Sequence, residues 1–150
     1  MLTLWIYRDG GRAAAGYKGS TGDCVVRAVA IATGQPYQLV YDALSEGRRT
    51  QRLTKNSRRK SSARDGVSVR RKWFKDYMMA LGWTWTATMN IGTGCKIHLR
   101  ADELPSGRII VRCSRHLVTV IDGIIHDTHD PSRAGTRCVY GYWTQRETDS

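Results

Sequence analysis

No run in this 150-residue chain is long and apolar enough to cross a bilayer, and the apolar residues of Leu2 to Tyr7 are too few for a signal peptide. The expectation is a cytoplasmic protein with no membrane partner. The cysteines Cys24, Cys95, Cys113 and Cys138 include no Cys-x-x-Cys pair and no dense small-domain framework, so reduced thiols are expected. The chain shows no internal repeat and no linker, which points to one domain over residues 1–150, long enough to bury a core. Acid is missing from one place in particular. Between Arg48 and Lys72, Asp65 stands alone against 11 basic residues, while the rest of the chain is nearly balanced, so one segment carries almost all of the net charge of +11.

What the chain does have begins with Thr21-Gly22-Asp23-Cys24-Val25-Val26-Arg27-Ala28, where a cysteine leads an apolar run directly after helix-start residues. Thr21 or Asp23 can cap that run. A cysteine in a first helical turn lies beside unpaired backbone N–H groups and the positive end of the helix dipole, which favours thiolate over thiol. The inert alternative is a buried core cysteine.

Far downstream, Asp122-Gly123 between apolar runs signals a two-residue hairpin turn. With that loop Ile121 faces Ile124, Val118 faces Asp127 and His116 faces His129. Asp127 then lies diagonal to His116 on the same side of the sheet, within side-chain reach, and Asp130 projects from the other side. A three-residue loop would reverse the parity.

Between these stretches the patterns place a buried central helix from Cys24 to Thr33 stopped by Gly34, and a second helix from Pro36 with Leu39, Val40, Ala43 and Leu44 as its stripe, ending at Gly47. A third helix, capped by Ser68, carries Val69, Trp73, Tyr77, Met78 and Leu81 and closes at Gly82. Strands are expected at Leu2 to Tyr7, Trp83 to Met89, Arg108 to Cys113, His116 to Ile121, Ile124 to Thr128 and Thr136 to Trp143, with a short helical turn near Ala101 to Leu104. Helices first and antiparallel strands after make an α+β domain.

The basic segment has almost nothing apolar beyond Leu53, so residues 48–66 read as a mobile loop. Its charges are Arg48, Arg49, Arg52, Lys55, Arg58, Arg59, Lys60 and Arg64, continued by Arg70, Arg71 and Lys72. A solvated face is the plain reading. Hydroxyl-bearing residues among the charges also suit a nucleic acid or an acidic protein surface. Cys95-x-x-His98 and Cys113-x-x-His116 have the residue types of a zinc site, but residues three apart on a strand point to opposite faces. No metal or cofactor is therefore expected. Trp73 and Tyr77 at helical spacing, and Trp83 and Trp85 on one strand face, read as core cover.

A helix-leading cysteine, a histidine at a much later strand start and an acid on the next strand resemble the papain-like cysteine peptidase superfamily. The His116-to-Asp127 hairpin is most similar to the small peptidase domains that process double-glycine bacteriocin leaders. The Gly-Asp-Cys-Val, Arg-His-Leu and His-Asp-Thr-x-Asp-Pro-Ser segments resemble those of small phage- and prophage-encoded proteins of unassigned function. The resemblance implies a papain-like fold with N-terminal helices, the central one led by the cysteine, packed on a C-terminal antiparallel sheet. It implies Cys24 as nucleophile, His116 as its base and Asp127 as the group orienting the imidazole, acting on a peptide or protein substrate in the host cell. Deamidation and transglutamination use the same three groups. Papain-like enzymes usually carry an oxyanion-hole glutamine about six residues before the cysteine. That position here is Lys18, and every glutamine follows Cys24, so Lys18, Thr21 or backbone N–H groups are the candidate donors. Without such a donor, a binding module built on the same fold and its basic loop is the competing expectation.

Overall fold

The computed structural model describes residues 4–18, 23–50, 67–90 and 92–146. Its elements in chain order are β1 (Trp5–Tyr7), α1 (Cys24–Thr33), α2 (Tyr37–Thr50), α3 (Lys72–Ala80), β2 (Trp83–Ala87), β3 (Ile97–His98), a 3-10 turn at Ala101–Glu103, β4 (Arg108–Cys113), β5 (His116–Ile121), β6 (Ile124–Asp127) and β7 (Cys138–Gln145). None of the described helices is long and apolar enough to cross a membrane.

The strands form a mixed sheet of order β1-β6-β5-β4-β7-β2, with β3 on β7. This is an α+β architecture, with one departure from the expected antiparallel sheet. The chain's opening strand, β1, joins parallel to β6, with Tyr7 opposite Asp127. A hairpin signal cannot announce such a pairing, because the two strands lie at opposite ends of the sequence.

Both faces of the sheet are apolar, which explains the unbroken burial of Ile109, Ile110 and Val111 on β4. On one face, Ile110, Leu117 and Trp143 pack against α1, whose residues Val25 to Ala32 are all buried, and against Leu44, Phe74 and Met78. On the other, Ile109, Val111, Val118, Val120 and Ile125 pack with Leu99 and Val139. Full burial of each such side chain contributes about 1.5–3 kcal/mol. Two polar bonds fix α1 on the sheet: Thr119 Oγ1 on β5 donates to Ala28 O (2.6 Å), and Arg108 Nη1 on β4 donates to Ala32 O (3.2 Å).

Gly34 ends α1 in the left-handed region, its N–H bonded to Ala30 O. Gly47, by contrast, does not end α2, which continues to Thr50 and takes Arg48 and Arg49 out of the expected loop. A Cβ at Gly47 would stand 2.2 Å from the Trp73 ring, so this glycine is a slot that lets α2 and α3 approach, not a helix stop. The third helix also starts later than Ser68 suggests: Arg71 occupies its N-cap position, and Ser68 instead accepts the Arg71 N–H in the turn before it.

The expectation of four reduced thiols is also corrected. Cys95 and Cys138 are disulfide-bonded, with Cα atoms 5.8 Å apart, because β3 pairs His98 with Cys138 and brings Cys95 alongside. Sequence spacing gave no sign of it, since 43 positions separate the two. Cys24 and Cys113 are free.

Candidate active site

The two-residue hairpin forms as its sequence requires. Ile121 pairs with Ile124, and both Asp122 (φ 49°) and Gly123 (φ 82°) adopt the left-handed conformation of a tight turn. That parity brings His116 and Asp127 together. His116 Nε2 donates to Asp127 Oδ2 at 2.7 Å, with both side chains nearly buried. Asp127 Oδ1 accepts the Thr128 N–H at 2.7 Å and faces Arg27 Nη2 at 3.4 Å, so the carboxylate is held from three directions.

Cys24 is the first residue of α1 and lines a cavity of about 510 Å³ together with His116. Its thiol is in hydrogen-bond contact with the imidazole and also receives the Leu117 N–H. Because Nε2 is engaged by Asp127, Nδ1 is the ring nitrogen left for the sulfur. Burial alone would push the Cys24 thiol up, but the contact with His116, its charge, the Leu117 N–H and Arg27 outweigh burial and bring it below the ordinary thiol value. For His116, burial favours the neutral ring, while the bonds to Asp127 and Cys24 raise its pKa to about 9. Asp127 is held below the usual carboxylate range: burial opposes ionisation, and His116, the Thr128 N–H and Arg27 overcome it. These directions all favour a thiolate beside an imidazolium over the neutral pair.

The second layer of the site is one that sequence reasoning missed. Asp23 occupies the N-cap position of α1 but does not cap it through its side chain. Its carboxylate is bonded to Arg27 Nη1, to Arg12 Nε (3.1 Å) and to the Tyr37 hydroxyl (2.6 Å). Arg27 therefore bridges Asp23 and Asp127, on the same helix face as Cys24 three positions earlier. The signal was present in the sequence as a single cation within an otherwise apolar helix.

Other candidates fall elsewhere. Lys18 is exposed, accepts Arg12 Nη2 through its carbonyl and does not line the Cys24 cavity; Thr21 lies outside the described residues. Among the basic residues, Arg52, Lys55, Arg58, Arg59, Lys60 and Arg64 lie outside the described residues. Arg48 and Arg49 belong to α2, Arg71 precedes α3, and Lys72 pairs with Asp76 at 2.7 Å. Among the described residues of that set, Arg70 alone lines the Cys24 cavity. Cys113 and His116 are not on one strand, as the zinc argument assumed: a turn at Ser114 and Arg115 makes them opposite partners on β4 and β5. Burial raises the Cys113 thiol to about 11.

The chain matches no protein-family model, no curated protein and no solved structure. Functional inference therefore rests on geometry. Among the described residues, His116, Asp127 and His129 are the set whose ligand atoms lie within 4.8 Å of one another. Within it, Asp127 Oδ2 takes the His116 N–H, and the His129 ring stands 5.3 Å from that of His116. That is how a carboxylate orients an imidazole.

Proposed function

We propose that this protein is a thiol-dependent acyl-transfer enzyme in which Cys24, His116 and Asp127 act as nucleophile, acid–base and orienting group. The observation that carries the reading is the unbroken chain from the Cys24 thiol through His116 to Asp127, opening on a cavity. The Cys24 thiolate attacks an amide or ester carbonyl, forming a C–S bond. The tetrahedral intermediate collapses with loss of the amine or alcohol, which takes the proton from His116. Water then attacks the thioester carbonyl while the imidazole accepts its proton, the C–S bond breaks to restore the Cys24 thiolate, and the acid leaves. First-turn N–H groups of α1, left uncapped by the Asp23 side chain, are the oxyanion donors in this reading, in place of Lys18. Peptides are the substrate class favoured by the resemblance to papain-like enzymes, with deamidation and transglutamination sharing the chemistry.

Competitive alkylation with iodoacetamide tests the reading. Cys24 should react ahead of Cys113, and its rate should fall roughly tenfold or more in His116→Ala, because the proton acceptor and the cation beside the sulfur are both removed. Treatment with EDTA should leave that rate unchanged. Equal labelling of both free thiols, with no dependence on His116, would favour the second reading, a catalytically inactive fold that binds partners through its basic segment. The exposed placement of Lys18, away from the cavity, is what favours that alternative.

A further inference from the structure

The cavity at Cys24 adjoins a second one of about 460 Å³, and Arg70, Arg112 and Tyr140 line both. Among the described residues lining either cavity there is no aspartate and no glutamate, although Arg115 adds a third guanidinium to the first. Several arginines elsewhere are neutralised: Arg27 lies between Asp23 and Asp127, Arg100 meets Asp102 and Glu103, and Arg49 meets Glu46. The groove does the reverse.

Arg112 sits in the middle of the sheet, half-buried on β4 at the rung that pairs it with Leu117 and Gly141. Its guanidinium stands 5.6 Å from the centre of the Tyr140 ring, so the ring supports one face and leaves the N–H edge free for an acceptor. Burial makes its charge costly, and the nearby charge of Arg70 adds to that cost. A bound anion would relieve both.

We propose that this groove selects acidic substrates: a peptide whose Asp or Glu carboxylate is gripped between Arg70 and Arg112 while a neighbouring carbonyl is presented to the Cys24 thiol. The proposal rests on the reading of Cys24 as nucleophile and adds a substrate class to it. Arg70 is the described cation of the basic segment that lines the cavity.

Matched chloroacetyl peptides test it, each pair differing only by Glu or Gln at one position after the electrophile. Alkylation replaces chloride with the Cys24 sulfur, so no other reactant is needed. At low salt the Glu probe should label Cys24 roughly tenfold faster than its Gln twin at one of the positions, an advantage typical of a charge-assisted hydrogen bond, and the ratio should shrink as salt rises. Taken within each variant, the Glu/Gln ratio should fall toward one in Arg112→Gln and in Arg70→Ala. The second change is on an exposed residue and keeps the test valid if the first perturbs folding. Lys96→Ala, which removes an exposed charge outside both cavities, should leave the ratio as it is. A wild-type ratio near one at every position, or a preference that survives both arginine changes, overturns the acidic subsite while leaving the nucleophile standing. Failure of the Gln probes to prefer Cys24 over Cys113 overturns the nucleophile, and the subsite with it.

Discussion

His116 Nε2 stands 2.7 Å from Asp127 Oδ2, although the strands that carry them stop pairing at Thr119 and His126. Beyond that last rung the side chains themselves join the two strands. Asp127 is steadied there by Arg27 and the Thr128 N–H, so the imidazole is held by a carboxylate that is itself fixed.

In the proposed mechanism His116 must be protonated to release an amine, and its pKa is raised to about 9, so activity should be lost as pH rises through about 9. Asp127→Asn removes the acceptor that favours the charged ring, so the value should move down toward the ordinary 6.5 and the alkaline limb should move to lower pH. Proton NMR of the His116 ring measures this without a substrate. An Asp127→Asn ring that still titrates near 9 would mean that the carboxylate is not the cause.

Arg27→Met should destabilise the protein by about 3–5 kcal/mol in urea unfolding at neutral pH, because it leaves Asp23 and Asp127 buried without their shared cation. The Asp127 pKa is depressed in the folded state. Its stabilising contribution is therefore present above the unfolded value near 3.8 and is lost as pH falls through the folded one. The penalty of Arg27→Met should accordingly shrink on acidification. A pH-independent penalty would point to lost packing in place of lost charge balance.

The Cys95–Cys138 bond predicts two titratable free thiols in the unreduced, denatured protein. Reduction should cost roughly 2–4 kcal/mol of stability for a loop of this length. Thiol counting by mass spectrometry after alkylation decides the first point, and denaturation with and without dithiothreitol the second. Four alkylated cysteines before reduction would contradict the bond.

Gly47→Ala should destabilise by about 1–3 kcal/mol, since its new methyl would meet the Trp73 ring where α2 and α3 approach. If Gly47 were only a helix stop, alanine would be neutral or stabilising there. Thermal unfolding separates the two outcomes.

The parts legible in the sequence were those set by local rules. The boundaries of β4 and β5, the Asp122-Gly123 turn and the burial of α1 from Val25 to Ala32 follow from alternation, turn chemistry and a run of small apolar residues. The diagonal relation of His116 to Asp127 followed from parity alone. What escaped were pairings between distant segments: β1 on β6, Cys95 beside Cys138, and Arg27 between two acids. Gly47 was misread because a glycine that admits a neighbouring ring looks the same in sequence as one that ends a helix. Thr21 and most of the basic segment fall outside the described residues.

The parallel rung between Trp5 and Ile125 also constrains when this fold can be completed. During synthesis the opening strand leaves the ribosome with nothing to zip onto, and the sulfur of Cys24 follows long before its imidazole. Any prematurely terminated chain that stops short of β6 lacks both the lane beside β1 and the carboxylate that steadies the ring. Chains cut short before β6 should therefore show none of the extra Cys24 reactivity that the proposed site would confer, only that of an ordinary thiol.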